Sequence, residues 1–113
     1  MLQWIALTEQ QQIDDIKTKS AITPQVVFKH STRCNISSVA LKRLENAGNL
    51  PNADYYYLDL IKYRHLSDAI AHTFDVYHES PQILVIKNGE CVYDESHLGI
   101  DTYELTDQVV AVQ

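Results

Sequence analysis

The chain has 113 residues, 45% hydrophobic and 21% charged, with 9 Lys and Arg against 15 Asp and Glu for a formal charge of −6. That length holds one domain, 1–113, with enough apolar residues for a core that needs no staples. The acidic balance, with no cluster of basic residues, excludes duplex nucleic acid and anionic membrane surfaces as expected partners. The start, "MLQWIALTEQ", lacks the basic and long apolar stretches of a signal peptide, and no segment has the length of a membrane span, so the expected location is cytoplasmic.

From the N-terminus, "LQWIAL" (2–7) is short, apolar and compatible with a strand. Thr8 opens "TEQQ" with Gln11 three residues on, the spacing of a capping box, and predicts a helix over 8–19 with Ile13 and Ile16 on one face. "QVVFKH" after Pro24 is a compact strand. Ile36, Val39, Ala40, Leu44 and Ala47 then recur at helical spacing, with Gly48 as the expected C′ stop. "ADYYYLDLI" reads as a strand across which Tyr55, Tyr56 and Tyr57 alternate. Leu66, Ala69, Ile70, Thr73 and Phe74 make a third helix. "PQILVIKNGECVYDE" is a hairpin turning at Asn88-Gly89. Asp101, with Glu104 three residues on, starts a last helix carrying Leu105, Val109 and Val112. The order β-α-β-α-β-α-β-β-α describes an α/β domain. Alternating strands and helices imply a parallel sheet covered on both faces, to which the hairpin adds one antiparallel strand, giving a mixed three-layer α/β/α fold.

One thiol stands where chemistry is favoured. Cys34, in "FKHSTRCNIS", falls between the second strand and the second helix. A helix start leaves backbone N–H groups unpaired and carries a partial positive charge, which together favour an anion. A thiol so placed ionises more readily, and the thiolate is the nucleophile. Ser37, three residues on, has a hydroxyl expected to donate to the same sulfur, and Arg33, with Lys29 and His30, is expected to add positive charge nearby. Position 37 is Ser, so the motif is C-x-x-S and holds no resolving sulfur. The cycle therefore stops at a mixed disulfide on Cys34, and a small thiol from solution must release it.

Other candidates carry less. Cys91 reads as a packing residue in the last strand, with a distant resolving role as its alternative. Five histidines show neither an i,i+4 pair nor HExxH, so no metal site is expected. Asp59, at the end of the third strand, is either a turn residue or a carboxylate that tunes a proton.

Two stretches carry a resemblance. "FDVYHESPQILVIKNGE" (74–90) is similar to the thioredoxin superfamily segment that runs from the third helix through a cis-proline into an "NGE" hairpin. "VFKHSTRCNIS" (27–37), with "HESPQ" (78–82), resembles the monothiol bacilliredoxin (YtxJ-like) family, whose hallmark is a T-R-C-x-I-S motif. The resemblance spans essentially the whole chain. It implies a thioredoxin-like fold and an enzyme that removes bacillithiol, or another low-molecular-weight thiol, from mixed disulfides on S-thiolated client proteins. It implies no bound cofactor, the small thiol acting as co-substrate.

By the same resemblance Cys34 is the catalytic cysteine and Pro81 the cis-proline beside it. Ser80 presents backbone groups to an extended substrate, while Thr32, Arg33, Asn35 and Ser37 shape the thiol pocket. The charge of Arg33 suits the malate carboxylates of bacillithiol. Members of the family commonly have Pro after the catalytic cysteine, where this chain has Asn35; the change restores an N–H near the sulfur and leaves small-thiol preference open. The expected assembly is a monomer or weak dimer. Two other readings stand beside this one. The first is a redox-inactive module that holds an extended peptide beside Pro81. The second is iron–sulfur binding across a dimer, which the absence of glycine from "CNIS" disfavours.

Overall fold

The computed structural model describes residues 2–111. Its elements follow the expected order: β1 (Ile5–Ala6), α1 (Gln10–Lys19), β2 (Gln25–His30), α2 (Asn35–Glu45), β3 (Asp54–Asp59), α3 (Arg64–Phe74), β4 (Gln82–Lys87), β5 (Glu90–Ser96), a 3-10 turn (His97–Gly99) and α4 (Thr102–Val110). Val112, expected on the last helix, lies outside the described residues.

The five strands form one mixed sheet in the order β1-β3-β2-β4-β5. β1, β3 and β2 are mutually parallel, and β4 is antiparallel to both β2 and β5. The reversed strand is therefore β4, inside the sheet, and β5 at the edge runs with the others. After α3 the chain returns through residues 75–81, so β4 enters beside the finishing end of β2, where Gln82 pairs with Lys29.

Strand alternation splits the core in two. Val27, Tyr56, Leu58, Leu84 and Ile86 pack with Ile13 and Ile16 of α1 and Leu66, Ile70 and Phe74 of α3. On the other face, Val26, Phe28, Tyr55, Ile83 and Val85 pack with Ala40 and Leu44 of α2 and Leu105 and Val109 of α4. Every residue of β2 and β4 is buried, as befits strands with neighbours on both edges and helices on both faces.

Three boundaries differ from expectation, each for a local reason. The capping box of α1 sits one residue later, on Glu9 and Gln12. The Gln12 Oε1 accepts the N–H groups of Thr8 (2.7 Å) and Glu9 (3.0 Å), and its Nε2 donates to the Ala6 carbonyl (2.9 Å), tying the helix to β1. α2 ends at Glu45 with Asn46 as its C-cap, so Gly48 (φ +80°) turns the chain two residues past the cap rather than at C′. β1 shrinks to Ile5 and Ala6, the residues that pair in register with β3, and the Leu7 N–H adds one further bond to the Tyr57 carbonyl (2.9 Å).

The hairpin turns at Asn88 (φ 52°) and Gly89 (φ 78°), where two left-handed residues match the twist of the flanking strands. Ser20, after α1, holds this turn through its carbonyl to the Asn88 N–H (2.9 Å) and its hydroxyl to the Gly89 N–H (2.8 Å). β5 has a partner on one edge alone, and it carries Glu90, Asp94 and Glu95 with no basic residue.

Candidate active site

β2 ends at His30, and the chain folds back at once: the Cys34 N–H donates to the Ser31 carbonyl (3.1 Å). Cys34 is the N-cap of α2, with extended backbone (φ −112°, ψ 121°), and its carbonyl accepts the Ser38 N–H (3.1 Å) and hydroxyl (3.3 Å). Its side chain makes no capping hydrogen bond. The thiol is half-buried, while Thr32, Arg33 and Asn35 around it are exposed. Ile36 of the motif also reaches solvent, at 39% exposure, because the buried face of α2 is carried by Ser37, Ala40 and Leu44.

Ser37 is fully buried, and its hydroxyl is engaged away from the thiol. It lies 2.7 Å from Nδ1 of His30 and accepts the Ser31 N–H at 3.0 Å. The expected hydrogen bond to the Cys34 sulfur is therefore corrected: no such bond forms among the described residues, and Ser37 instead ties α2 to the end of β2. The expected positive charge of Lys29 and His30 beside the thiol is corrected too. Both side chains are buried, on opposite faces of the sheet. Burial pushes the His30 imidazole below its usual range despite the opposing pull of Asp59, and its ring packs against Phe28 and Tyr57. Burial pushes the Lys29 ammonium down to about 8. Arg33 is the exposed cation of the motif.

Ser80-Pro81 is cis. Continuing the β2–β4 register by one residue sets Pro81 across from His30, at the end of the sheet where the Ser31–Cys34 turn begins. Pro81 is buried and Ser80 half-buried. The Ser80 hydroxyl is buried without a partner among the described residues, and its backbone N–H and carbonyl are likewise unpaired there. An extended chain laid alongside would find both groups free. Asp59 resolves as a turn residue: its carboxylate accepts the N–H groups of Ile61 (3.1 Å) and Lys62 (3.3 Å).

Cys91 pairs with Ile86, which in turn faces Gln25 at the far end of β2. Five residues of strand, about 16 Å, separate that level from His30. Burial pushes the Cys91 thiol up to about 11, and its S–H donates to the Tyr93 carbonyl at 3.2 Å. It is a packed residue of the α1/α3 face, out of reach of Cys34. No group of three His, Cys, Asp or Glu is placed to hold a metal ion among the described residues.

Two contributors escaped the sequence reading. His78 meets groups of α3 and β2 at Nδ1, and Gln82 donates through Nε2 to the Tyr77 carbonyl (3.0 Å), so the segment before Pro81 is anchored by buried polar groups. A signal existed: Lys29 follows the apolar run Val26–Phe28 and Gln82 precedes Ile83–Ile86, and polar residues beside such runs demand partners.

Comparison with known proteins agrees with this arrangement. Residues 5–105 match the family described as monothiol bacilliredoxin BrxC. A solved structure described as a candidate oxidoreductase with a thioredoxin fold is 33% identical, with a TM-score of 0.74 over 89% of this chain and 88% of that one. Thioredoxins from Halobacterium salinarum (a point mutant; 15% identity, TM-score 0.72, 96% and 92% covered) and Malassezia sympodialis (14% identity, TM-score 0.72, 95% and 88% covered) share the fold. The chain belongs to the monothiol bacilliredoxin BrxC family and has a thioredoxin-like fold.

Proposed function

We propose that the protein is a monothiol thiol–disulfide oxidoreductase that takes a low-molecular-weight thiol, bacillithiol in the first instance, from mixed disulfides on client proteins. The observation that carries this reading is the placement of Cys34: a half-exposed thiol at the N-cap of α2, unbonded, with no second sulfur in its motif and Cys91 held at the far end of the sheet.

The Cys34 thiolate attacks the small-thiol sulfur of the mixed disulfide. A new S–S bond forms on Cys34, the old one breaks, and the client leaves as a thiolate that takes a proton from water. A second small thiol then attacks the adduct, releasing Cys34 as thiolate and carrying away a symmetrical or mixed small disulfide. Unpaired N–H groups in the first turn of α2 lie beside the exchanging sulfur. The exposed Arg33 supplies the positive charge that carboxylates of the transferred thiol would meet, and Thr32 and Asn35 are exposed beside it in the chain. Ser80 offers its N–H and carbonyl to the client backbone. Ser37 supports the site from within, through His30 and Ser31.

The test is transfer. Reduced protein is mixed with one model protein carrying bacillithiol and another carrying glutathione, and peptide mass spectrometry follows both adducts. Selective movement of bacillithiol to Cys34 supports the reading. Equal movement of glutathione leaves a monothiol redoxin of looser preference. A Cys34 that stays free in both mixtures overturns the reading in favour of a redox-inactive module that holds peptides beside Pro81.

A further inference from the structure

Lys29 is the largest polar side chain in the core, with none of its surface exposed. No carboxylate stands within ion-pairing distance of it among the described residues. The acidic groups that face it are Asp68 of α3 and Cys91 and Asp94 of β5. Its one polar contact among the described residues is Nδ1 of His78, at 3.5 Å, and the Ser67 hydroxyl of α3 meets the same nitrogen at 2.9 Å. A hydroxyl donates or accepts with equal ease, so Ser67 is indifferent to where the His78 proton sits. An ammonium can only donate. A proton on Nδ1 would leave Lys29 facing an N–H with no acceptor, so a Lys29–His78 hydrogen bond requires the ring proton on Nε2. Arg64, Asp68 and Glu79 also face His78; burial, then the charges of Lys29 and Arg64, push its imidazole down, against the pull of Asp68 and Glu79.

Resting on the reading of Cys34 as the reactive thiol, we propose that Lys29 is a positioning residue for the Ser80-Pro81 segment. By holding Nδ1 of His78 as an acceptor it fixes that ring in one orientation. With the Gln82 bond to Tyr77, it thereby fixes the backbone that meets the client. A buried ammonium without an ion pair costs stability, and an apolar side chain of similar length would serve the core better. Its presence is explained by what it holds.

The test separates the loop from the thiol. In reduced wild type, 15N shifts of the imidazoles are expected to show His78 protonated on Nε2; Ser67→Ala keeps that state and Lys29→Met loses it. Lys29→Met is expected to raise KM for the mixed-disulfide client roughly tenfold, since small misplacements of binding groups are costly. Alkylation of Cys34 by iodoacetamide, a reagent too small to use the segment, is expected to stay unchanged, and the thermal midpoint to hold or rise. His78→Phe repeats the kinetic pattern and decides the matter if Lys29→Met does not fold. A proton on Nδ1 in the wild type overturns the proposal. So does an alkylation rate that falls with transfer, which would place the effect of Lys29 on the thiol itself, and so does an unchanged KM. A wild type that transfers no thiol sinks the Cys34 reading, and the ring tautomer still decides whether Lys29 holds His78.

Discussion

The Ser37 hydroxyl lies 2.7 Å from Nδ1 of His30, and neither residue shows more than 3% of its surface. The position where a dithiol enzyme carries its second sulfur is here a buried joint between α2 and β2. Replacing Ser37 with Ala strips a partner from the imidazole and from the Ser31 N–H (3.0 Å) at once. A loss of about 1–3 kcal/mol is expected, because buried polar groups would be left unpaired. Urea unfolding measures it; a variant as stable as wild type would show that water replaces the hydroxyl without cost.

The two cysteines should part company completely. Cys34→Ser is expected to abolish thiol transfer, and Cys91→Ser to leave it intact. Under limiting iodoacetamide at neutral pH, Cys34 should alkylate while Cys91, pushed up to about 11 by burial, stays unmodified. Peptide mapping distinguishes them. Transfer surviving in Cys34→Ser would defeat the assignment of the nucleophile.

Lys29 should leave a signature in alkaline stability. Its folded pKa of about 8 lies below the usual lysine value of roughly 10.4, so between these values the unfolded chain binds more protons than the folded one. The Lys29 contribution to stability therefore rises with pH from about 8 towards 10. Lys87, also lowered by burial, adds to the slope; Cys91, raised from 9.0 to about 11, acts in the opposite sense, as do buried Tyr55 and half-buried Tyr93, raised to about 12, above roughly 10. Denaturation at pH 7.5 and 9.5, values chosen as roughly bracketing that window, should show a smaller gain in Lys29→Met than in wild type. Equal gains would mean that Lys29 is not the source.

In acid the histidines take over. His30 and His78 are both lowered, chiefly by burial, so the unfolded chain binds protons more readily and stability falls as pH drops below about 6.5. His30→Phe should flatten part of that fall; an unaltered curve would assign it elsewhere.

Asn35 is the first residue of α2, and its N–H has no partner among the described residues. Proline suits that position, and Asn35→Pro is expected to stabilise the protein by about 0.4–1 kcal/mol through the unfolded state. The ratio of bacillithiol to glutathione transfer should be read in the same variant. A destabilised variant would show that the turn before the helix depends on the amide.

Much of this arrangement could be read along the chain, for physical reasons. Element types followed from periodicity. "NG" set the hairpin, and Asp101 capped α4, its carboxylate accepting the Tyr103 N–H at 2.9 Å. Cys34 was legible because a single thiol at a strand-to-helix junction has few other uses. What escaped depends on contacts distant in sequence. Lys29 and His30 look like two neighbouring charges in "FKHS", yet strand alternation sends them to opposite faces, one to His78 and one to Ser37. Gln12 capped α1 in place of Gln11 because its side chain also reaches the Ala6 carbonyl. The alternation and the Gln12 cap are local; the partner of Lys29, 49 residues on, is not.

The acidic edge of β5 has a consequence for self-association. A second copy adding its own β5 in the antiparallel register centred on Val92 would set Glu90 of each copy opposite Asp94 of the other, with no cation on either strand to offset them. Among the described residues β5 is the one full-length strand with an open edge, and its like charges oppose edge-to-edge pairing of two copies.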